Sequence, residues 1–151
     1  ELVKKGHAFT SNKDYNILST LNTNSIIQTD FLTVSPNDNL EKLVDLISHS
    51  NQTYFAVVDT ENHLVGIVNF NNIREIIFNK YRVKYTLIKD VMKTPAATIS
   101  SNDSMEIVMR KLETSKSAFL PVLRDGKYYG FISKSIALEA YRTKLRSMTI
   151  E

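Results

Sequence analysis

There is no cysteine and no tryptophan among the 151 residues, and glycine and proline occur only four and three times. The missing cysteine excludes disulfides, thiolate metal sites and a cysteine nucleophile, and it fits the cytosol. The glycines are scattered, and Gly66 and Gly130 each stand alone, so no glycine loop is present to cradle a phosphate. No apolar run approaches the roughly 20 residues needed to cross a bilayer, and the opening Glu1-Leu2-Val3-Lys4-Lys5 is not a secretory signal. A first residue that is Glu rather than Met reads as a piece cut from a longer polypeptide or a tag. Also missing is a long block of one charge. The 19 basic and 16 acidic residues are interspersed, so the net +3 is expected to describe a solvated surface rather than a nucleic-acid face. What is present is 42% hydrophobic residues, enough for one well-packed domain or two small interlocked ones.

Those residues are arranged in two copies of one pattern. Thr33-Val34-Ser35-Pro36-Asn37-Asp38-Asn39-Leu40-Glu41 matches Thr98-Ile99-Ser100-Ser101-Asn102-Asp103-Ser104-Met105-Glu106, 65 residues later. The match continues through the apolar stripe Leu40, Leu43, Val44, Ile47 against Met105, Val108, Met109, Leu112, and through Tyr54–Val58 against Phe119–Leu123. One residue is lost in the next turn, after which Leu64–Asn69 matches Tyr128–Ser133. Each copy is too short to bury a good core alone, which predicts a pseudo-twofold arrangement with function in the groove between its halves.

Within each copy the punctuation predicts β-α-β-β-α. Asp38 with Glu41, and Asp103 with Glu106, read as helix caps with a reciprocal Glu, and the helices should run to about Ser50 and Ser115. Two strands follow, joined by Asp59-Thr60-Glu61-Asn62 in one copy and by Arg124-Asp125-Gly126-Lys127 in the other, where Asp-Gly favours a hairpin. A last helix, capped from Asn71 or Asn72 and from Ser133 or Ser135, carries Ile73, Ile76 and Ile77 in the first copy and Ile136, Leu138, Tyr141 and Leu145 in the second. Ahead of the copies lie the stretch His7-Ala8-Phe9-Thr10, a polar turn at Ser11-Asn12-Lys13 and a short helix from Asp14 with Ile17, Leu18 and Leu21 on one face. The expected organisation is a lead-in over 1–24, units over 25–79 and 91–151, and an ordered Lys/Tyr-rich connector over 80–90. The fold class is α+β.

The repeated unit resembles the cystathionine-β-synthase (CBS) domain, and the pair resembles the tandem CBS module that regulates enzymes, channels and transporters. Ile88-Lys89-Asp90-Val91-Met92, Phe119-Leu120-Pro121-Val122 and Gly130-Phe131-Ile132-Ser133 carry the resemblance over residues 25 to 140. Leu2-Val3-Lys4-Lys5-Gly6-His7, Asn12-Lys13-Asp14, Ile73-Arg74-Glu75-Ile76-Ile77-Phe78 and Tyr141-Arg142-Thr143-Lys144-Leu145 look like the cytoplasmic tail of bacterial ClC-type chloride channels and transporters. That resemblance implies a soluble regulatory module on the cytoplasmic face of the membrane, dimerising through its CBS helices, with a channel or transporter domain in the same chain. The CBS resemblance implies an adenosine nucleotide, ATP, ADP or AMP, held at Thr33, Thr53, Asn69 and Asn72 of the first unit and Thr98, Ala118 and Ser133 of the second. The family's ribose-binding Asp is replaced by Asn72 and Ile136. An amide oxygen can still accept one hydrogen bond, whereas an apolar side chain accepts none. Arg74 and Lys134 are candidates for phosphate, or plain solvated basic residues.

No enzymatic constellation emerges. His7, His49 and His63 lack ligand spacing and read as surface residues, Met105 and Met109 follow the apolar stripe, and Glu41 with Asp45 describes a wet helix face. The expectation is a non-catalytic regulator; the alternative is a ligand-free dimerisation module. No nucleic-acid partner is expected.

Overall fold

The computed structural model describes residues 12–150. In chain order these form α1 (Asn12–Ser19), a 3-10 turn (Thr23–Ile26), β1 (Thr33–Val34), α2 (Leu40–Ser48), β2 (Tyr54–Val58), β3 (Leu64–Asn69) and α3 (Phe70–Ile73). They continue with α4 (Lys80–Tyr85), α5 (Ile88–Val91), β4 (Ile99–Ser100), α6 (Met105–Ser115), β5 (Phe119–Arg124), β6 (Lys127–Ser133) and α7 (Lys134–Ile150). The β-α-β-β-α order therefore appears twice. Each repeat builds a three-stranded sheet, ordered β1-β2-β3 and β4-β5-β6, in which the short first strand runs parallel to the middle one. The mixture of sheet and helix in two matching units is the α+β architecture that the duplicated pattern predicts.

Each unit has its own core. In the first, Val34, Leu40, Leu43, Phe55, Val57, Val68 and Ile73 pack together, and the connector contributes Val83 and Ile88. In the second, Ile99, Met105, Val108, Met109, Leu112, Leu120, Val122, Ile132 and Ala137 pack with Leu18 of the lead-in and Ile26 at the end of the 3-10 turn. The two methionines are thus core residues. His49 and His63 are solvent-exposed, while His7 and the rest of residues 1–11 lie outside the described residues.

Three local expectations need correction. The caps of α2 and α6 are Asn39 and Ser104, one residue beyond the expected aspartates, and their side-chain oxygens accept from the Lys42 and Ile107 amides. Asp38 and Asp103 instead turn back to accept from the Ser35 and Ser100 amides at 2.9 Å, which spends their carboxylates on the strand-to-helix turn. The last helix of the first unit is a single turn, capped by Asn69 rather than Asn71 or Asn72. Beyond Ile73 the chain continues in hydrogen-bonded turns, with Ile76 and Ile77 packed against the core. The polar turn expected at 11–13 is already helical from Asn12. The second hairpin is as expected: Asp125 and Gly126 both take positive φ, 53° and 79°, the conformation of a tight hairpin turn.

The sheets are completed by exchange. Gln28, ahead of β1, pairs with Phe131 in β6 through hydrogen bonds of 2.8 and 2.9 Å. Lys93, between α5 and β4, pairs in the same way with Ile67 in β3. Each compact unit is accordingly discontinuous: one joins the described residues up to Thr29 with Ala96–Arg124 and the described residues from Tyr129 onward, and the other joins Asp30–Pro95 with Asp125–Tyr128. The two lone glycines are explained by these pairings. A Cβ on Gly130 would fall on the Gln28 carbonyl oxygen, and one on Gly66 would meet the Met92 sulfur at 2.8 Å.

The lead-in helix is fastened to the second repeat's unit. Ile17 and Leu18 are buried, the Thr23 hydroxyl donates to the Asp103 carbonyl at 2.8 Å, and the Tyr141 hydroxyl donates to an Asp14 carboxylate oxygen. Burial, and then the neighbouring Asp14 carboxylate, push the Tyr141 phenol up to about 12. The folded pKa lies above that of the unfolded tyrosine, so the folded state holds this proton more tightly. The contribution should be fully present below pH 10 and lost as pH rises from about 10 to about 12. Tyr141→Phe should make the alkaline slope shallower without abolishing it, because burial also pushes the Tyr128 phenol up, as measured by denaturant midpoints across this window.

Candidate functional site

The candidate residues fall at equivalent places in the two units, where strand ends meet the start of a helix. In the first unit Thr33 lies half-buried in β1, in register with Ala56 of β2. Thr53 is exposed immediately before β2, and its carbonyl accepts from the Phe70 amide at 2.9 Å, which ties it to the first residue of α3. Asn69 ends β3 and caps that helix: its Oδ1 accepts from the Asn71 amide at 3.0 Å, while its own amide donates to Asn72 Oδ1 at 3.3 Å. Asn72 therefore uses one of its oxygen's two acceptor positions inside the cap. Arg74 is drawn back along the same turn, with Nη2 2.6 Å from Asn71 Oδ1 and the guanidinium 5.7 Å from the Phe70 ring centre.

The second unit repeats the scaffold with different chemistry. The Ala118 carbonyl accepts from the Lys134 amide at 2.8 Å, the counterpart of the Thr53 to Phe70 bond. Ser133 is buried at the start of α7, its Oγ 2.9 Å from the Ser135 hydroxyl and accepting from the Ile136 amide at 3.3 Å. The Ile136 side chain is 39% exposed, an apolar group on the first turn of the helix. Thr98 is half-buried just before β4, and its carbonyl accepts from Lys111 Nζ at 2.8 Å. The same ammonium pairs with Asp103 at 2.9 Å, so one lysine pins both the strand end and the turn that follows it. Sequence reasoning passed over Lys111. Its signal was available, because the matching residue of the first repeat is the apolar Leu46.

Thr33, Thr53, Asn69 and Asn72 are thus gathered on one unit, and Thr98, Ala118 and Ser133 on the other, as seven positions on two copies of one scaffold. The polar groups they offer are hydroxyls, amides and backbone atoms at helix starts. Among the described residues no cluster of histidine, aspartate and glutamate could hold a metal ion.

The duplicated architecture is matched by the profile of the CBS domain over residues 24–79 and again over 88–143. The chain belongs to the CBS-domain family and contains two such domains. Solved structures share the fold at low identity. The CBS domain of a bacterial CNNM/CorC family Mg2+ transporter, in complex with ATP, superposes with a TM-score of 0.75 at 14% identity, covering 85% of this chain and 92% of that one. CbpB in complex with c-di-AMP gives 0.72 at 17% identity, covering 91% and 95%. CBSX2 in complex with AMP gives 0.68 at 20% identity, covering 81% and 96%. The homoserine O-acetyltransferase of Methanococcus vannielii is 26% identical over 110 residues, 72% of this chain. The chain spans only 22% of that enzyme's length.

Proposed function

We propose that this CBS pair is a non-catalytic regulatory module that responds to an adenosine nucleotide, ATP, ADP or AMP, and that it serves the cytoplasmic side of a ClC-type chloride channel or transporter as a homodimer. The observation that carries the nucleotide reading is the duplicated scaffold. In both units a carbonyl just before the middle strand is bonded to the helix that follows the last strand, and a polar residue stands at that helix start. Similar folds are solved with AMP, ATP and c-di-AMP. The proposed contacts are Thr33, Thr53, Asn69 and Asn72 in the unit over 25–79, and Thr98, Ala118 and Ser133 in the unit over 91–151. The channel assignment rests on the tail-like phrases in the lead-in (1–24), at Ile73–Phe78 before the connector (80–90), and at Tyr141–Leu145. Regulation then needs one arrangement of the module to bind ligand better than another, a difference typically worth about 1–3 kcal/mol.

A specific observation favours a second reading. Ile136 is exposed where a ribose-binding carboxylate would be needed, and the Asn72 oxygen is already engaged by its cap. These fit a ligand-free dimerisation module. A thermal-shift panel with ATP, ADP and AMP separates the two. Ligand at 100 times its dissociation constant stabilises by about 2.7 kcal/mol, which is roughly 5–10 °C for a chain of this size. The nucleotide reading expects such a shift, reduced by Asn72→Ala or Ser133→Ala. No shift with any nucleotide, in a chain that light scattering finds dimeric, supports the second reading.

A further inference from the structure

The first repeat's unit carries a surface feature that neither core nor candidate site uses. Phe78, Tyr81 and Tyr85 are 83%, 72% and 62% exposed, and they fall on α4 and the residue pair just before it. Exposed rings are common one at a time, but three within eight residues form a patch. Lys80, Arg82 and Lys84 alternate with them and are all exposed, and no acidic residue occurs between Glu75 and Asp90. Among the described residues none of these three cations takes part in an ion pair.

The helix that presents this patch is firmly held. Val83 is its buried side chain and belongs to the unit's core. The Asn79 side chain caps its start, Asn39 Nδ2 donates to the Lys84 carbonyl at 3.1 Å, and the Leu40 amide donates to the Thr86 carbonyl at 3.0 Å. Rings and cations therefore share one anchored element. Aromatic rings among lysines and arginines are the composition that settles at the headgroup level of a bilayer and is drawn to anionic lipid. Single-stranded nucleic acid would need open ring faces for stacking. Here Tyr81 and Tyr85 lean on each other at 4.7 Å, and Lys84 stands 5.5 Å from the Tyr85 ring centre.

We infer that the α4 face, Phe78 with Tyr81 and Tyr85 among Lys80, Arg82 and Lys84, is a docking surface for an anionic lipid bilayer. This inference concerns direct lipid contact and does not depend on nucleotide binding or on an attached channel. The test is co-sedimentation of the chain with phosphatidylcholine vesicles containing phosphatidylglycerol, against pure phosphatidylcholine, at low and high salt. The expected result is binding to the anionic vesicles alone, weakened by salt. Three surface cations at about 1 kcal/mol each predict a loss of about two orders of magnitude in K80E/R82E/K84E. F78S/Y81S/Y85S, which keeps every cation, should also weaken binding. Thermal melts of both variants should match the parent, since Val83 is retained. Absence of binding to anionic vesicles would overturn the inference, as would binding that neither variant reduces. Salt-sensitive capture of an oligonucleotide or an acidic polypeptide without vesicle binding would overturn it equally.

Discussion

Gly130→Ala is expected to destabilise the protein by about 2–4 kcal/mol, through overpacking against backbone and loss of the two hydrogen bonds of the Gln28–Phe131 bridge. The new methyl group would have nowhere to go. Besides the Gln28 oxygen it would meet the Gln28 carbonyl carbon and Ile27 Cγ2, each at 3.1 Å, and two of these three neighbours are main chain. The matching change in the other repeat, Gly66→Ala, meets only the Met92 side chain, whose flexible thioether can swing aside. Thermal melting of the two variants side by side provides the check. For a chain of about this length each kcal/mol is about 2–4 °C, so Gly130→Ala should melt roughly 5–15 °C below the parent. Equal, small shifts for both glycines would contradict the account.

Leu18→Ala is the second large effect, at about 2–5 kcal/mol, the usual cost of a leucine-sized cavity. Leu18 precedes both repeats, yet it is 1% exposed and packs in the second repeat's core beside residues such as Leu112 and Ile132. A lead-in that merely decorated the fold would tolerate the change. Ser19→Ala, at the exposed next position, is the control and should stay within about 0.5 kcal/mol of the parent. Denaturant midpoints for the two variants decide the point.

The duplication made the fold legible, because like residues at one spacing predict like elements, and the hairpin at Asp125-Gly126 follows from its own turn chemistry. The caps were displaced by one residue for a physical reason. Asp38 and Asn39, like Asp103 and Ser104, are adjacent residues that can both cap. Which one does so depends on the preceding turn, where the Ser35 and Ser100 amides claim the aspartates. The length of α3 was illegible because Ile76 and Ile77 keep helical spacing and pack against the core, although the chain from Arg74 to Phe78 runs in hydrogen-bonded turns rather than a continued helix. The candidate site was legible as a set of matching positions, but not in its hydrogen bonding. Asn72 reads as an acceptor in the sequence, and the cap on Asn69 that takes up one of its two acceptor positions forms only in the folded turn. The exchange of Gln28 and Lys93 left almost no local trace. Its pairings join residues far apart in sequence, and the only marks were two glycines whose purpose is close backbone or side-chain approach.

That exchange reorders how the molecule carries load. A tug on the chain at α1 does not reach the first repeat first. It is borne by the buried Ile17 and Leu18 and then by the Gln28–Phe131 bridge, so the sheet that feels it is the one encoded last. In the same way, tension on the segment after the first repeat's helices is taken up at Lys93 and Ile67, in the sheet encoded first. For α1, then, order along the polypeptide and attachment to a sheet part company: the first described helix leads into the sheet that is encoded last.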